Sequence, residues 1–114
     1  EIVDDTVALL IEEGSLSDLR YARLFIERRQ RKTPEGRLRL AQRLAQRGVE
    51  KGAAERALNE LFTEERIATY VADAVSRART KHPDKEVRDL LCFWGFSSYE
   101  IRTGLETMSE DELQ

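Results

Sequence analysis

Basic side chains recur at helical spacing in the middle of this chain. Arg39, Arg43 and Arg47 stand at positions i, i+4 and i+8, so a helix would line them along one flank. More basic residues crowd the segment 28–32 just before them. Guanidinium groups are planar and permanently charged, and they match the oxygens of carboxylates and phosphates. The candidate partner-binding or DNA-binding surface therefore comprises Arg28, Arg31, Lys32, Arg39, Arg43 and Arg47.

The formal net charge of -3 hides an uneven distribution. Residues 20–56 carry a net charge of +8, whereas residues 1–19 and 57–114 carry -6 and -5. A solvated face, partly neutralised by Glu27 and Glu35, is one interpretation, since exposed ion pairs contribute only ~0 to 1 kcal/mol each. The excess of positive charge favours the other interpretation, a contact surface for acidic protein or phosphate.

The aromatic residues give a weaker signal. Phe25, Trp94 and Phe96 fall at positions that helical periodicity assigns to a core. Tyr21 and Tyr99 could stack on bases beside the arginines, as aromatic residues do in single-strand binding proteins. Packing is the favoured interpretation for the first three residues.

Catalytic and metal chemistry find little support in the sequence. His82 is the single histidine and adjoins Pro83, and neither it nor Cys92 has a second ligand at metal spacing. Phosphate-binding and dinucleotide-binding glycine motifs are absent. Carboxylate pairs such as Glu64 and Glu65 fall at predicted helix ends, where acids favour the helix dipole. We therefore predict no enzyme activity, no metal and no cofactor, and we expect Cys92 to be a small buried hydrophobic residue.

The composition also indicates the cellular compartment and whether the chain could cross a membrane. A single cysteine excludes an internal disulfide and is typical of a reducing compartment. The longest uncharged stretch, 90–99, is shorter than the ~20 residues that a membrane-spanning helix needs. A cytoplasmic protein without membrane contact, and a monomer, are the expectations.

The chain also repeats itself. Residues 40–61 share their pattern of apolar residues with residues 87–108, and Gly48 corresponds to Gly95. An internal period in this range is typical of arrays of small helical units. The predicted fold is all-α, with tandem three-helix repeats in an elongated, curved array, an architecture that presents extended surfaces to large partners.

Start and stop signals divide the chain into four parts. Gly14 predicts a helix end, so residues 1–14 are assigned as the last helix of an incomplete first repeat. Residues 15–62 and 63–108 are assigned as the second and third three-helix repeats. Residues 109–114 are assigned as an acidic tail.

Local signals predict several helix ends inside these repeats. Gly48 and Gly95 should end helices at positive φ. Thr33 with Pro34, and Pro83 in the next repeat, should open helices as cap and first-turn proline. Helix starts are also predicted at Thr63 and at a capping box formed by Ser97 and Glu100.

The chain carries, in order, Asp18, Arg20, Tyr21-Ala22, the basic segment 28–32, Arg39-Leu40 and Arg47-Gly48-Val49. This series resembles the second three-helix repeat of the RecX regulatory family. In that repeat an acid, a base and an aromatic-Ala pair open a long helix, an Arg-rich stretch closes it, and a middle helix ends in basic-Gly-apolar. Residues 87–101 resemble the third repeat, with Trp94-Gly95-Phe96 in place of basic-Gly-aromatic.

The sequence departs from the family pattern at two places. Residues 33–36 replace a Gly-rich element, and Arg43 replaces the usual acid before the core leucine of the middle helix. The resemblance implies an elongated helical modulator that binds RecA recombinase filaments on single-stranded DNA. It also implies that such a protein suppresses ATP hydrolysis, strand exchange and filament growth, with single-stranded DNA contacted only indirectly or weakly.

Two other classes of function stay open at this point. A general nucleic-acid-binding module, such as a helix-turn-helix variant, would bind DNA without RecA and with strong salt dependence. A scaffold of helical repeats with an unrelated protein partner is the other, since a fold alone does not specify a function.

Overall fold

The computed structural model describes residues 2–108, with side chains from residue 16 onward. Within this range the chain forms helices and no strands, which confirms the all-α prediction. The predicted acidic tail, residues 109–114, lies outside the described residues. The helices are α1 (Ile2–Lys32), α2 (Arg37–Gln46), α3 (Lys51–Leu61), α4 (Glu64–Lys81), α5 (Val87–Phe93) and α6 (Ser98–Glu106).

The described helices form two units of the same layout. Unit one is residues 16–62, comprising the carboxyl-terminal half of α1 with α2 and α3; unit two is residues 63–108, comprising α4, α5 and α6. In each unit the first helix packs against the third, and the short middle helix closes the side. One core runs through both units, from Leu19 to Ile101. The principal extents are 63 × 23 × 20 Å, and a curved array stays a prediction.

The two glycine turns are confirmed. Gly48 has φ +78° and Gly95 has φ +91°, a backbone region that glycine enters without steric cost. After each of them the next amide, that of Val49 or Phe96, donates to a carbonyl five residues earlier, at 3.1 and 3.0 Å. Both middle helices therefore end in the same Schellman motif.

Three helix starts follow local capping rules. Thr63 caps α4, and Ser97 forms a reciprocal capping box with Glu100 at the start of α6, as predicted. The carboxylate of Glu50 accepts hydrogen bonds from the amides of Gly52 and Ala53 and so caps α3. These side chains satisfy amides that the first helical turn leaves without partners.

The predicted helix end at Gly14 is wrong, because α1 continues through it without interruption. A glycine inside a helix costs only ~1 kcal/mol relative to alanine. That cost is small beside the packing of the downstream half of α1 against α3. The assignment of residues 1–14 to a separate repeat stays a prediction.

The prediction that Pro34 and Pro83 open helices is wrong. The N-cap of α2 is Gly36 and that of α5 is Glu86, so Pro34 and Pro83 each stand before the helix and not in its first turn. In unit one the cause is tertiary. The side-chain amide of Gln30 donates to the carbonyl of Glu35 and accepts from its amide, both at 2.8 Å. This clamp satisfies the backbone of Glu35 outside a helix and holds Pro34 in the core.

Unit two docks onto the start of α2. The amide of Gly36 donates to the carbonyl of Trp94 at 3.0 Å, and the amide of Arg37 donates to the carboxylate of Glu100 at 3.2 Å. A Cβ atom on Gly36 would stand 2.0 Å from the carbonyl oxygen of Gly95, so the backbones meet only because residue 36 is glycine.

A second set of contacts joins the units at the end of α1. The guanidinium of Arg77 donates to the carbonyls of Lys32 and Arg31, at 2.7 and 3.1 Å. These carbonyls belong to the last turn of α1, where the helix itself supplies no donor. Arg77 therefore joins α4 to the end of unit one's long helix.

Cys92 is exposed, contrary to the prediction that it is buried. The two preceding residues, Leu90 and Leu91, take the inward positions of α5. Because successive residues of a helix are turned by about 100°, the next residue along α5 faces outward.

Candidate partner-binding groove

A groove runs along the carboxyl-terminal half of α1 and meets the end of α2. We call it the basic groove, and it encloses about 330 Å³. Its residues combine positive charge with aromatic and aliphatic surface. They are Tyr21, Leu24, Phe25, Arg28, Arg29, Lys32 and Arg47.

Helical spacing explains how α1 builds this groove. Leu19, Ala22 and Ile26 form the buried stripe of the helix. Tyr21 and Arg28 lie on the adjacent stripe, seven residues apart, and stay exposed. Because residues separated by three, four or seven positions share one helix face, packing of the core stripe fixes where the groove residues project.

Arg47, the C-cap residue of α2, reaches the groove from just before the glycine turn. Its guanidinium carbon lies 4.7 Å from the centroid of the Phe25 ring, and Nη1 donates to the hydroxyl of Tyr21 at 3.2 Å. The Tyr21 and Phe25 rings stack with centroids 6.2 Å apart and planes 25° apart. Cation–π attraction and ring packing together position Arg47 over the aromatic floor of the groove.

Three cations of the groove pair with no carboxylate among residues 16–108. These are Arg28, Lys32 and Arg47. Their positive charge is therefore available to a partner. Because Arg28 and Lys32 are four residues apart on α1, their Cα atoms are separated by about 6 Å along the helix axis.

Arg43 belongs to a different arrangement, centred on the buried carboxylate of Glu35. Glu35 is 3% exposed. Arg43 binds it with both Nε and Nη2, at 2.9 and 2.7 Å, and Arg29 Nε donates to it at 3.1 Å. The hydrogen bond from Arg43 to Glu35 raises the pKa of the Arg43 guanidinium. The two departures from the family pattern, in residues 33–36 and at Arg43, therefore contact each other.

Arg39 lies between this cluster and unit two. Its guanidinium is 4.0 Å from the Glu35 carboxylate, lies 5.5 Å from the centroid of the Phe93 ring, and donates to the carbonyl of Phe93. Arg39 therefore helps to join α2 to α5.

Arg31 lies on another side of α1. It lines a cleft between α1 and α4 together with Arg66 and the acids Glu27 and Asp73. Positive and negative charges balance in that cleft, unlike in the basic groove. The structure thus distributes the six predicted basic residues over three environments and brings only Arg28, Lys32 and Arg47 together.

Sequence reasoning missed Leu24, and it placed Glu35 on a solvated face, whereas Glu35 is buried. Leu24 is 53% exposed, and its position beside the core stripe was the available signal, since an exposed leucine on an amphipathic helix has no packing role. Nothing local marked Glu35 as buried. Of the predicted aromatic core, Phe96 is buried, whereas Phe25 and Trp94 are half-buried. Tyr99 is remote from the groove and points its hydroxyl at Glu64, 3.4 Å away.

In the described part of the chain, no group of three or more histidine, cysteine or acidic side chains could hold a metal ion. None of the helices in that part is long and apolar enough to cross a membrane.

The fold and groove define a class of protein: tandem three-helix units that present a charged outer face. Comparison with known proteins narrows this class. Residues 17–58 match the family model described as "RecX, second three-helix domain". No solved structure gave a significant match.

Curated relatives extend the match over most of the chain. The Regulatory protein RecX of Neisseria meningitidis serogroup B (strain ATCC BAA-335 / MC58) is 30% identical over 117 residues, covering 97% of this chain and 72% of the relative. The Regulatory protein RecX of Neisseria gonorrhoeae (strain NCCP11945) is 30% identical over 112 residues, covering 93% and 69%. This chain therefore belongs to the RecX family of regulatory proteins.

Proposed function

We propose that this protein binds RecA filaments on single-stranded DNA and inhibits the recombinase, reducing ATP hydrolysis, strand exchange and filament growth. Membership of a regulatory family supports this proposal. The structural observation that carries it is the basic groove, where Arg28, Lys32 and Arg47 converge without a described carboxylate. We further propose that the protein is a cytoplasmic monomer without catalytic activity.

Inhibition would act through a shift of populations. A protein that binds an inactive arrangement of the filament, or its end, more tightly than the active arrangement shifts the equilibrium by that difference in affinity. We assign the contact to the basic groove. Arg39, Arg43 and Arg31 are secondary contributors in this proposal, because each has acidic neighbours within the chain.

The proposal is tested by RecA ATP hydrolysis on single-stranded DNA, titrated with this protein and followed by microscopy of the filaments. We expect hydrolysis to fall at micromolar concentrations as filaments shorten or stop growing. Unchanged hydrolysis together with unchanged filaments would contradict the proposal.

Substitutions in the basic groove test whether the inhibition of RecA depends on that surface. Arg28→Glu combined with Lys32→Glu should abolish most of the inhibition while keeping the thermal stability, since both side chains are exposed. Lys81→Glu combined with Lys85→Glu, at two exposed positions of unit two, is the matched control with the same change of charge. Reversal of Arg43 is unsuitable for this test, because it would place a second carboxylate beside buried Glu35.

Direct binding of nucleic acid is the second candidate function. The observation that favours it is Tyr21, 41% exposed between Arg47 and the other groove cations. Gel shifts without RecA separate the two functions. Tight binding, with log affinity falling by ~0.7 per neutralised phosphate of a single strand against log salt, together with no effect on RecA, would favour this candidate.

A further inference from the structure

We infer that the basic groove receives an acidic polypeptide segment with an apolar side chain that packs against Leu24. This inference rests on the proposed function, because the segment is assigned to the protein component of the filament and not to its DNA.

Charge in the groove selects an acidic ligand. The charged residues that line it are Arg28, Arg29, Lys32 and Arg47, with no acid among them. Arg29 already shares the carboxylate of Glu35, so the other three cations supply the unmatched charge. The cleft on the other side of α1, with its balanced charges, offers no such selection.

The spacing of the cations limits the shape of the ligand. Arg28 and Lys32 are about 6 Å apart along α1. Carboxylates at i and i+4 of a helix, or at i and i+2 of an extended strand, have a similar separation. An acidic pair in either conformation could therefore engage both cations.

The uncharged part of the groove favours a polypeptide over nucleic acid. A base needs an open aromatic face on which to stack, but Arg47 lies over Phe25, and Phe25 stacks against one face of Tyr21, so only the exposed remainder of Tyr21 is left for a base. Leu24 adds aliphatic surface that is 53% exposed. Aliphatic surface beside cations suits a segment that combines carboxylates with an apolar side chain, as amphipathic recognition segments do.

Photo-crosslinking from the groove tests this inference. Leu24 is replaced in the full chain by the photoreactive residue p-benzoylphenylalanine, which an exposed position tolerates, and the protein is mixed with RecA on oligothymidylate. We expect a cross-link to a RecA segment that contains at least a pair of carboxylates. A cross-link to the oligothymidylate, or to a RecA segment without acids, would overturn the inference.

Inhibition of ATP hydrolysis is measured in parallel with the unlabelled protein. Inhibition without a cross-link to an acidic segment would overturn the inference alone and leave the proposed function standing. A complete lack of inhibition would instead overturn the proposed function.

A charge-swap experiment separates recognition from folding. Arg28→Glu with Lys32→Glu should weaken filament binding by at least about tenfold, since two favourable charge contacts become repulsive. Substitution of the cross-linked RecA carboxylates by lysine should restore binding to this variant. Failure of that rescue, with the circular dichroism and melting temperature of the variant unchanged, would count against the acidic segment.

Discussion

Unit one and unit two share a helical frame but differ on its outer face. Positions 49 residues apart in the first helices, and 47 apart in the later ones, correspond. Phe25 and Arg47, which form the floor and one wall of the basic groove, correspond to Ala74 and Trp94. The cation Arg28 corresponds to Arg77, whose guanidinium donates hydrogen bonds to carbonyls of α1. Only unit one therefore offers cations above an aromatic floor.

The units also differ beneath that face. Unit one places the Glu35 carboxylate between Arg29 and Arg43. The corresponding residues of unit two are Asp84, which is exposed, and Ala78 and Leu90, which are buried. Unit one thus uses a buried ionic cluster where unit two uses apolar packing. Buried ion pairs rarely add net stability over apolar packing, and we interpret the cluster as one that positions Arg29 and α2 beside the groove.

The glycine turns reveal the supporting role of unit two. Gly48 is in open space, whereas a Cβ atom on Gly95 would stand 2.4 Å from the Cβ of Arg39. The turn of unit two is therefore an interface, and the turn of unit one is free. The comparison teaches that one repeated motif leaves an open turn beside the basic groove, our proposed recognition surface, in unit one and forms a packed contact with α2 in unit two.

The largest expected effect comes from the glycine pair. Gly48→Ala should lower the free energy of unfolding by about 1 to 2 kcal/mol, the cost of a side chain at positive φ. Gly95→Ala adds a steric clash at the unit interface, worth a further ~1 to 3 kcal/mol. Urea denaturation of the two variants measures the difference. Equal losses would contradict the assignment of the second turn as a packed interface.

Substitution of Glu35, compared with substitution of its counterpart Asp84, should give the next largest effect. Glu35→Ala leaves Arg29 and Arg43 without their shared carboxylate, and we expect a loss of about 2 to 3 kcal/mol, below the ~3 to 5 kcal/mol of a fully buried pair because both arginines reach solvent. Asp84→Ala, at the corresponding exposed position, should stay within about 0.5 kcal/mol of wild type. Chemical denaturation compares them, and a similar loss in both variants would refute the distinction between the units.

A smaller effect concerns the bridge between α1 and α3. Arg23 binds Glu60 through two hydrogen bonds of 2.7 and 2.8 Å and thereby lowers the pKa of the Glu60 carboxyl. Unit two has Ala72 and Thr107 at these positions. Because the folded-state pKa is depressed, the stabilisation is present above the unfolded value of about 4.3 and is lost as the pH falls through the folded value.

Thermal melting across that acidic range tests the bridge. The melting temperature of Glu60→Gln should fall less steeply with decreasing pH than that of the wild type. The melting temperatures of Glu60→Gln and the wild type are expected to differ only slightly, since the Arg23–Glu60 pair is exposed to solvent. Parallel curves would contradict a role for this bridge in acid sensitivity.

The parts of the fold that could be predicted from sequence depend on local physics. The turns at Gly48 and Gly95 and the capping box of Ser97 follow from backbone conformation and from amides a few residues away. The error at Pro34 has a different origin, because the clamp from Gln30 and the docking of unit two override the first-turn preference of proline. Burial of a carboxylate at Glu35 depends on partners supplied by two helices.

The basic groove was predicted only in part for the same reason. Helical spacing predicted Arg39, Arg43 and Arg47 on one flank of a helix, but α2 ends at Gln46 and Arg47 is its C-cap residue. The side chains then followed different neighbours: Arg43 turned to Glu35 and Arg47 to Phe25. Periodicity predicts the face of a helix, but the partners on other helices decide which charges stay available.

The most direct test of the account compares Lys32→Glu with Lys81→Glu. These residues occupy corresponding exposed positions in the last turns of α1 and α4, so both substitutions change the net charge and the helix dipole interaction equally. The affinity of each variant for RecA filaments on oligothymidylate is measured by fluorescence anisotropy. We expect Lys32→Glu to bind about fivefold more weakly than wild type and Lys81→Glu to bind like wild type. Equal weakening of both variants, or a loss confined to Lys81→Glu, would contradict the assignment of recognition to unit one.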